Sequence, residues 1–281
     1  MSEILNELQE VKKAAQDQTA ASQAMTNEVS GKMAQIDTKL AELVKDVPDA
    51  IDSEMYKSIY VSVDGDDNNH GGSSAAPLAS IAKAISLIPN GSTARILLAS
   101  APVESPDNVY DVEQVHELES RHVLIAPYGG SQVTLRFMDG GAFNTRSGGS
   151  IKVGNPYHLT VEVVASRTKD SLIYQYGGDV SFGGFYTTKL VNHSSSLKMI
   201  SKIGFHVGDN KVGSTFGRVS FMRFDVSEST ETDFLLVDIY LGGLALMSIY
   251  SVTLGGNAAL YSPSRQALPV GANNNAYLIT Y

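Results

Sequence analysis

Apolar residues fall at Ile4, Leu8, Val11 and Ala15, and again at Met33, Ile36, Leu40, Leu43 and Val47, in alternating steps of four and three. This is the heptad seam of a coiled coil. Residues 1–47 hold no Pro, no aromatic and only Gly31, and are dominated by Ala, Gln, Glu, Lys and Leu, all good helix formers. The two halves of the seam differ in register. An eleven-residue step from Ser22 to Met33 joins them, with Gln18 and Ser22 on the seam between, and reads as a stutter. Such a helix reaches about 70 Å. So narrow a stripe predicts association with copies of itself or with a partner; the alternative is a helix lying back on its own domain. Pro48 is expected to stop the helix, because it lacks the N–H and crowds the preceding turn. Residues 48–58 then form a junction.

From Ile59 onward the pattern changes to short alternating runs. They include IYVSV (59–63), RILLA (95–99), HVLIA (122–126), QVTLRF (132–137), SIKV (150–153), HLTVEVV (158–164) and SLIYQY (171–176). KIGFHV (202–207), RVSFMRFDV (218–226), DFLLVDIYL (233–241) and LALMSIYSVTL (244–254) follow. One helix interrupts them, over 78–88, with Leu78, Ile81, Ile85 and Ile88 on one face and Pro89-Asn90-Gly91 at its exit. Gly-Gly pairs at 71–72, 129–130, 140–141, 148–149, 177–178, 183–184, 242–243 and 255–256 mark tight corners. Run centres lie about 20 to 27 residues apart, which suits the coil of a parallel β-helix, about eight coils in all. Periodicity alone leaves a sandwich or jelly roll open.

The segment IYVSVDGDDNNHGGSSAAPLASIAKAISLIPNGSTARILLAS, followed after an insertion by RHVLIAPYGG, tips that balance. It resembles the opening segment of the pectate-lyase-like right-handed β-helix family. The shared order is a strand ending in Tyr-Val-Ser, an Asp-Gly-x-Asp loop, a Pro with an amphipathic helix, a Pro-x-Gly exit and two strands. The likeness covers about 70 residues. It departs from the family where SAPVESPDNVYDV replaces the usual Gly-x-Tyr, which implies a decorated first coil. A helix at 78–88 would close the open end of the solenoid, where bare strand edges invite association. A self-associating helix ahead of a solenoid resembles bacteriophage tail fibres and tailspikes. That resemblance implies a homotrimer, a virion location after assembly in the host cytoplasm, attachment to other tail or baseplate proteins through the N-terminal region, and contact with a host-surface glycan or protein.

Composition narrows the chemistry. Of 281 residues, 21 are Lys or Arg and 30 are Asp or Glu, a formal charge of -9 that argues against nucleic acid as partner. There is no Cys, which excludes disulfides, thiolate metal sites and cysteine nucleophiles. The start, MSEILNELQEVKK, does not read as a signal peptide, and no apolar run reaches the length of a membrane span. No cofactor is expected: dinucleotide, phosphate-cradling and Gly-x-Ser-x-Gly signatures are missing. No metal is expected either. Asp64-Gly65-Asp66-Asp67-Asn68 starts like a calcium loop but has Asn69 and Ala75 where an EF-hand needs Gly and a carboxylate. The six His show no zinc spacing.

Glycan hydrolysis needs two carboxylates a few ångströms apart, which neighbouring coils can supply. Asp139, Glu162, Asp179, Asp209, Asp225 and Asp238 are placed for this, yet none stands out as catalytic, and the enzyme reading stays open but disfavoured. For glycan recognition, Tyr176 and Tyr186 are the surface candidates in SLIYQYGGDVSFGGFYTT. After Asp238 the chain is apolar with Arg265 its only charge; contact between protomers is preferred over a last coil with a self-folded cap. The resulting reading is mainly β. A coiled-coil helix (1–47) and junction (48–58) precede a parallel β-helix (59–241) and a final coil or cap with trimer contact (242–281), in a homotrimeric fibre that binds a receptor. A polysaccharide depolymerase and a structural adaptor for a longer fibre are the alternatives.

Overall fold

The computed structural model describes residues 2–99, 108–130, 132–154, 157–167, 169, 171–194, 196–201, 205–207, 211–213, 216–226, 233–238, 244–254, 258–261, 266–269 and 276–280. The chain divides into two compact units, 1–53 and 54–281.

The first unit is one helix, α1 (Ser2–Met55), about 80 Å long at 1.5 Å per residue. Ile4, Leu8, Val11, Met33, Ile36, Leu40 and Leu43 are each at least 58% exposed. Ala15 is exposed too, and the side chain of Val47 lies outside the described residues. Met25 and Val29, 68% and 50% exposed, fill the step between Ser22 and Met33 at spacings of three, four and four. The stutter is therefore apolar on its C-terminal side and polar at Gln18 and Ser22. Pro48 does not end the helix, and the expected junction contributes its first eight residues to α1. Pro forfeits one hydrogen bond with the preceding turn but is well suited to the first turn of whatever follows it. Asp49-Ala50-Ile51-Asp52-Ser53-Glu54-Met55 contains no Gly or Pro to stop it.

The second unit is a parallel β-solenoid. β1 (Tyr56–Val61) pairs parallel with the first strand of coil 1. α2 (Ile81–Ser86) follows, shorter than the expected 78–88. Ser80 caps it, its Oγ accepting the Lys83 N–H at 3.1 Å. Leu78 lies ahead of the helix in a bridge to Val61, and Ile88 lies beyond Leu87. All four expected side chains are nonetheless buried, with Ala84 beside them. Coil 1 is β2 (Thr93–Ala99), β3 (Val109–Val112) and β4 (Val115–Glu119). Coil 2 is β5 (His122–Tyr128), β6 (Val133–Phe137) and β7 (Ala142–Arg146). Coil 3 is β8 (Ser150–Val153), β9 (Leu159–Val163) and β10 (Ser171–Gln175). In coil 4, β11 (Asp179–Asn192) covers two faces, pairing first with β8 and then with β9, and β12 (Ser196–Ser201) makes the third.

These are the four complete turns. After an antiparallel hairpin, β13 (Phe205–Val207) and β14 (Lys211–Gly213), the same faces are extended by β15 (Phe216–Val226) and β16 (Asp233–Asp238). β17 (Leu244–Leu254) and β18 (Ala258–Tyr261) extend them once more. β19 (Gln266–Pro269) and β20 (Ala276–Thr280) then turn antiparallel, with β20 laid along β17. Among the described residues of 242–281, β20 therefore covers the edge of β17.

Fewer coils form than expected because each is longer. Ile96, Ile125, Val153 and Phe182 stand in one column, 28 or 29 residues apart. The next step, Phe182 to Phe221, is 39 residues. The added length holds the hairpin, so Phe205–Val207, the described end of KIGFHV, is not a coil strand. In SAPVESPDNVYDV the last four residues, Val109–Val112, are β3, while 100–107 lie outside the described residues. The column side chains are at most 1% exposed at Ile96, Ile125, Val153, Phe182 and Phe221. Each contributes about 1.5–3 kcal/mol by leaving water. Phe182, Phe221 and Phe224 meet at centroid distances of 5.5–6.0 Å and bind the last complete turn to the coil beyond the hairpin. The Gly-Gly corners permit close stacking. A β-carbon on Gly178 would stand 1.9 Å from the Gly149 carbonyl oxygen, and one on Gly149 would stand 1.8 Å from that of Leu118.

Candidate functional site

The Asp64–Asn68 loop is a brace rather than an open ligand cage. Asp67 Oδ1 accepts the N–H groups of Ala79 and Ser80 at 2.9 and 3.0 Å, and Oδ2 accepts the Ser80 hydroxyl at 2.7 Å. Asp66 Oδ1 accepts from Asn68, and Asn69 donates to the Pro77 carbonyl. Burial pushes the Asp67 carboxyl up, but the Ser80 and Ala79 hydrogen bonds and the Lys83 charge outweigh it and hold it below its ordinary value. Among the described residues no group of three or more His, Asp or Glu could hold a metal ion, and no helix is long and apolar enough to cross a membrane.

Between α2 and the β3–β4 corner lies a cavity of about 480 Å³, lined by Ser80, Tyr110, Asp111, Glu113, Gln114 and His116 among others. The Tyr110 hydroxyl donates to the Ala99 carbonyl at 2.5 Å, and burial pushes the phenol up to about 12. Burial pushes the His116 imidazole down, and its ring leans on Phe143 at 5.6 Å. These groups are tied into the fold, so the cavity is an indented seam between capping helix and solenoid. The sequence reading missed it because Tyr110 sits in a stretch taken as decoration and His116 lies in a run not read as a strand.

The candidate carboxylates face cations more than one another. The register sets Asp111, Arg136 and Glu162 side by side on successive coils. Arg136 makes a two-point bridge to Asp111 at 2.7 and 3.0 Å. Glu162 also meets His193 at 3.6 Å. Asp179 lies 3.8 Å from Arg218, and Asp225 stands opposite Lys189. Asp139 is exposed in a turn. Asp209 and the side chain of Asp238 lie outside the described residues.

The two tyrosines singled out for glycan contact are set apart. Tyr176 follows β10, half-buried, with the Arg146 guanidinium 4.9 Å over its ring. Tyr186 lies where the pairing of β11 with β15 slips between Gly183 and Thr188, a bulge that pushes Phe185 and Tyr186 outward. Phe185 is 73% and Tyr186 46% exposed. Tyr157, one coil before, stacks on Tyr186 at 6.3 Å with planes 20° apart, and His158 meets the same ring edge-on at 5.0 Å. On the next coil Arg223 donates to the Phe185 carbonyl. Beyond it, Tyr250, 57% exposed, aligns with Met222. Tyr157 and Tyr186 thus form an aromatic corner across two successive coils, with Phe185 exposed beside Tyr186 in the bulge and Tyr250 exposed further along the solenoid. Its only sequence signal is the pairing of aromatics with glycine corners; the bulge that exposes them is a tertiary event.

Compared with known proteins, the chain matches no family model, no curated protein and no solved structure.

Proposed function

We propose that this chain is a tail-fibre- or tailspike-type virion protein with a right-handed, pectate-lyase-like β-helix. In this reading α1 drives homotrimerisation as a coiled coil and joins other tail or baseplate proteins. The solenoid meets a glycan on the host surface. The observation that carries the reading is the aromatic corner on a stiff solenoid. Exposed aromatic faces with polar neighbours suit sugar rings, which are apolar on one face and polar at the rim. Contiguous exposed apolar surface marks an interaction site. The seam of α1 supports the assembly half of the proposal, because a helix with so much exposed apolar surface gains stability by packing against copies of itself.

The test is binding of the purified full chain to candidate host cells, with surface glycan assayed before and after. Binding that is lost in Tyr186→Ala and leaves the glycan intact is the expected result. Release of oligosaccharide would replace it with a depolymerase. Failure to bind any host cell would overturn receptor binding and leave the adaptor, which predicts docking of α1 on another virion protein.

A further inference from the structure

We infer that the cavity between α2 and the β3–β4 corner binds a small organic cation, an alkylammonium group that donates a hydrogen bond to His116; the inference stands apart from the receptor-binding reading. On the third face of the solenoid His116 is in line with Phe143, Ile173, Ile200 and Val237 of the later coils. Each of those four is fully buried and apolar. His116 is 6% exposed, so it stands in the core column with them. An apolar side chain would fill that place without the cost of burying a polar ring. Contact with Phe143 ties the ring into the fold. Its nitrogens, however, meet no hydrogen-bond partner among the described residues, and a buried polar group left so calls for an explanation. Tyr110 gives the contrast. It heads the neighbouring column of Leu135, Val161 and Leu190, and its hydroxyl is engaged by the Ala99 carbonyl.

The space beside His116 suits a ligand. Among the described residues no strand precedes β3 or β4 on their faces, and the gap between them and α2 is the cavity of about 480 Å³. Small-molecule sites commonly span about 300–1,000 Å³ and combine an apolar wall with a few polar groups. Here Val63, Ile81 and Val109 give the wall, and Asp111, Glu113 and His116 the polar part. Charge decides the sign of the ligand. Two carboxylates line the cavity and, among the described residues, no Lys or Arg does. Asp111 is held by Arg136, whereas exposed Glu113 has no cation on it among the described residues. Burial pushes the imidazole down, so near pH 7 it is neutral and offers an acceptor nitrogen instead of a repelling charge. A primary ammonium has three donors and no acceptor, which suits an acceptor nitrogen backed by a free carboxylate. An anion would meet only repulsion, and a neutral ligand would leave Glu113 unanswered.

The experiment titrates the full chain, labelled at histidine, with butylamine, 1-butanol and butyrate, probes of similar size and different charge. The imidazole signals of the six histidines are followed by NMR, with thermal midpoints measured in parallel. Butylamine is expected to shift the His116 signal saturably and to bind about tenfold or more tightly than butanol, as one hydrogen bond to a charged group allows. It should also raise the thermal midpoint, because it binds the folded chain alone. Butyrate should not bind. His116→Phe supplies the ring that coil 2 carries at this place, so it should keep the midpoint and lose butylamine binding. Glu113→Gln lies at an exposed corner and should fold as the native chain does while losing the preference for butylamine over butanol. Equal binding of the three probes, tighter binding of butyrate, or butylamine binding untouched by both substitutions would overturn the inference. So would a saturable shift at another histidine with His116 unmoved, and so would the absence of saturable binding by any probe, which would leave the cavity to water. Should His116→Phe fail to fold, Glu113→Gln alone decides.

Discussion

Asp67 and Ser80 tie the loop after β1 to the start of α2: one carboxylate takes both the backbone N–H and the hydroxyl of the residue that caps the helix. The capping helix has six residues, too few to be stable on its own propensity. Its position depends on Ile81 and Ile85 beneath it and on this carboxylate in front of it. Asp67→Ala should cost about 2 kcal/mol, the range for hydrogen bonds to a charged group, and Ser80→Ala about 1 kcal/mol as a lost cap. The Asp67 carboxyl is depressed in the folded chain, so its contribution is complete above the ordinary carboxylate value near pH 4 and fades as pH falls through the lower folded value. Thermal unfolding from pH 5 to pH 2 should show a flatter acid limb in Asp67→Asn than in the native chain.

His116 acts in a different window. Burial disfavours its charged form, so the unfolded chain takes up the proton first. Stability is then unaffected well above pH 6.5, falls as pH drops through that value, and stops falling below the depressed folded value. His116→Gln should remove the slope that sets in as pH drops through about 6.5 and leave the Asp67 limb in place. Equal slopes in the two chains would show that the ring is solvated in the folded state.

Gly178 is pinned against the coil before it, with no room for a β-carbon beside the Gly149 carbonyl. Its φ of 76° also disfavours any side chain. Gly178→Ala should destabilise the solenoid by about 2 kcal/mol or more, through both strain and lost strand spacing. Gly148→Ala shares the left-handed backbone, with φ 80°, but has open space around it, so it should cost only the conformational part, about 1 kcal/mol. Denaturant midpoints of the two variants separate the terms.

Local alternation made some strands readable and hid others. SIKV and LALMSIYSVTL appear as strands with the bounds their patterns predict, because each inward position is apolar and the outward ones vary freely. Val115–Glu119 is a strand whose outward positions include Glu117 and Glu119, so His116 and Leu118 alone carry its inward signal. In KIGFHV the alternation is sound, but among the described residues Phe205–Val207 pairs with Lys211–Gly213 and with no coil strand. Which strand a run pairs with is a long-range property, and so the number of coils was overestimated. The surroundings of Glu162 were hidden for a related reason: in-register stacking brings Arg136 between Asp111 and Glu162, and no local window contains those three residues. Tyr186 was legible as a surface aromatic, whereas its stack with Tyr157 and the nearness of Arg223 depend on a bulge and on coil register.

The α1 seam yields the last prediction. Leu8 and Leu40, 63% and 58% exposed on the isolated chain, lie in the two registers on either side of the stutter. Burying a leucine is worth about 1.5–3 kcal/mol per chain, repeated in every protomer. If the helix is the assembly element, Leu8→Asn with Leu40→Asn should shift the particle mass in sedimentation equilibrium toward the monomer, while off-seam Lys39→Ala should not. Each substitution leaves a helix that can still form, so lost helicity is excluded by far-ultraviolet circular dichroism on the same samples. Deleting residues 1–47 is the stronger version. A truncated chain that keeps both its oligomeric state and its thermal midpoint would reassign assembly to the solenoid and leave α1 as an attachment stalk, whose seam would then pack on a different partner and not on a second copy.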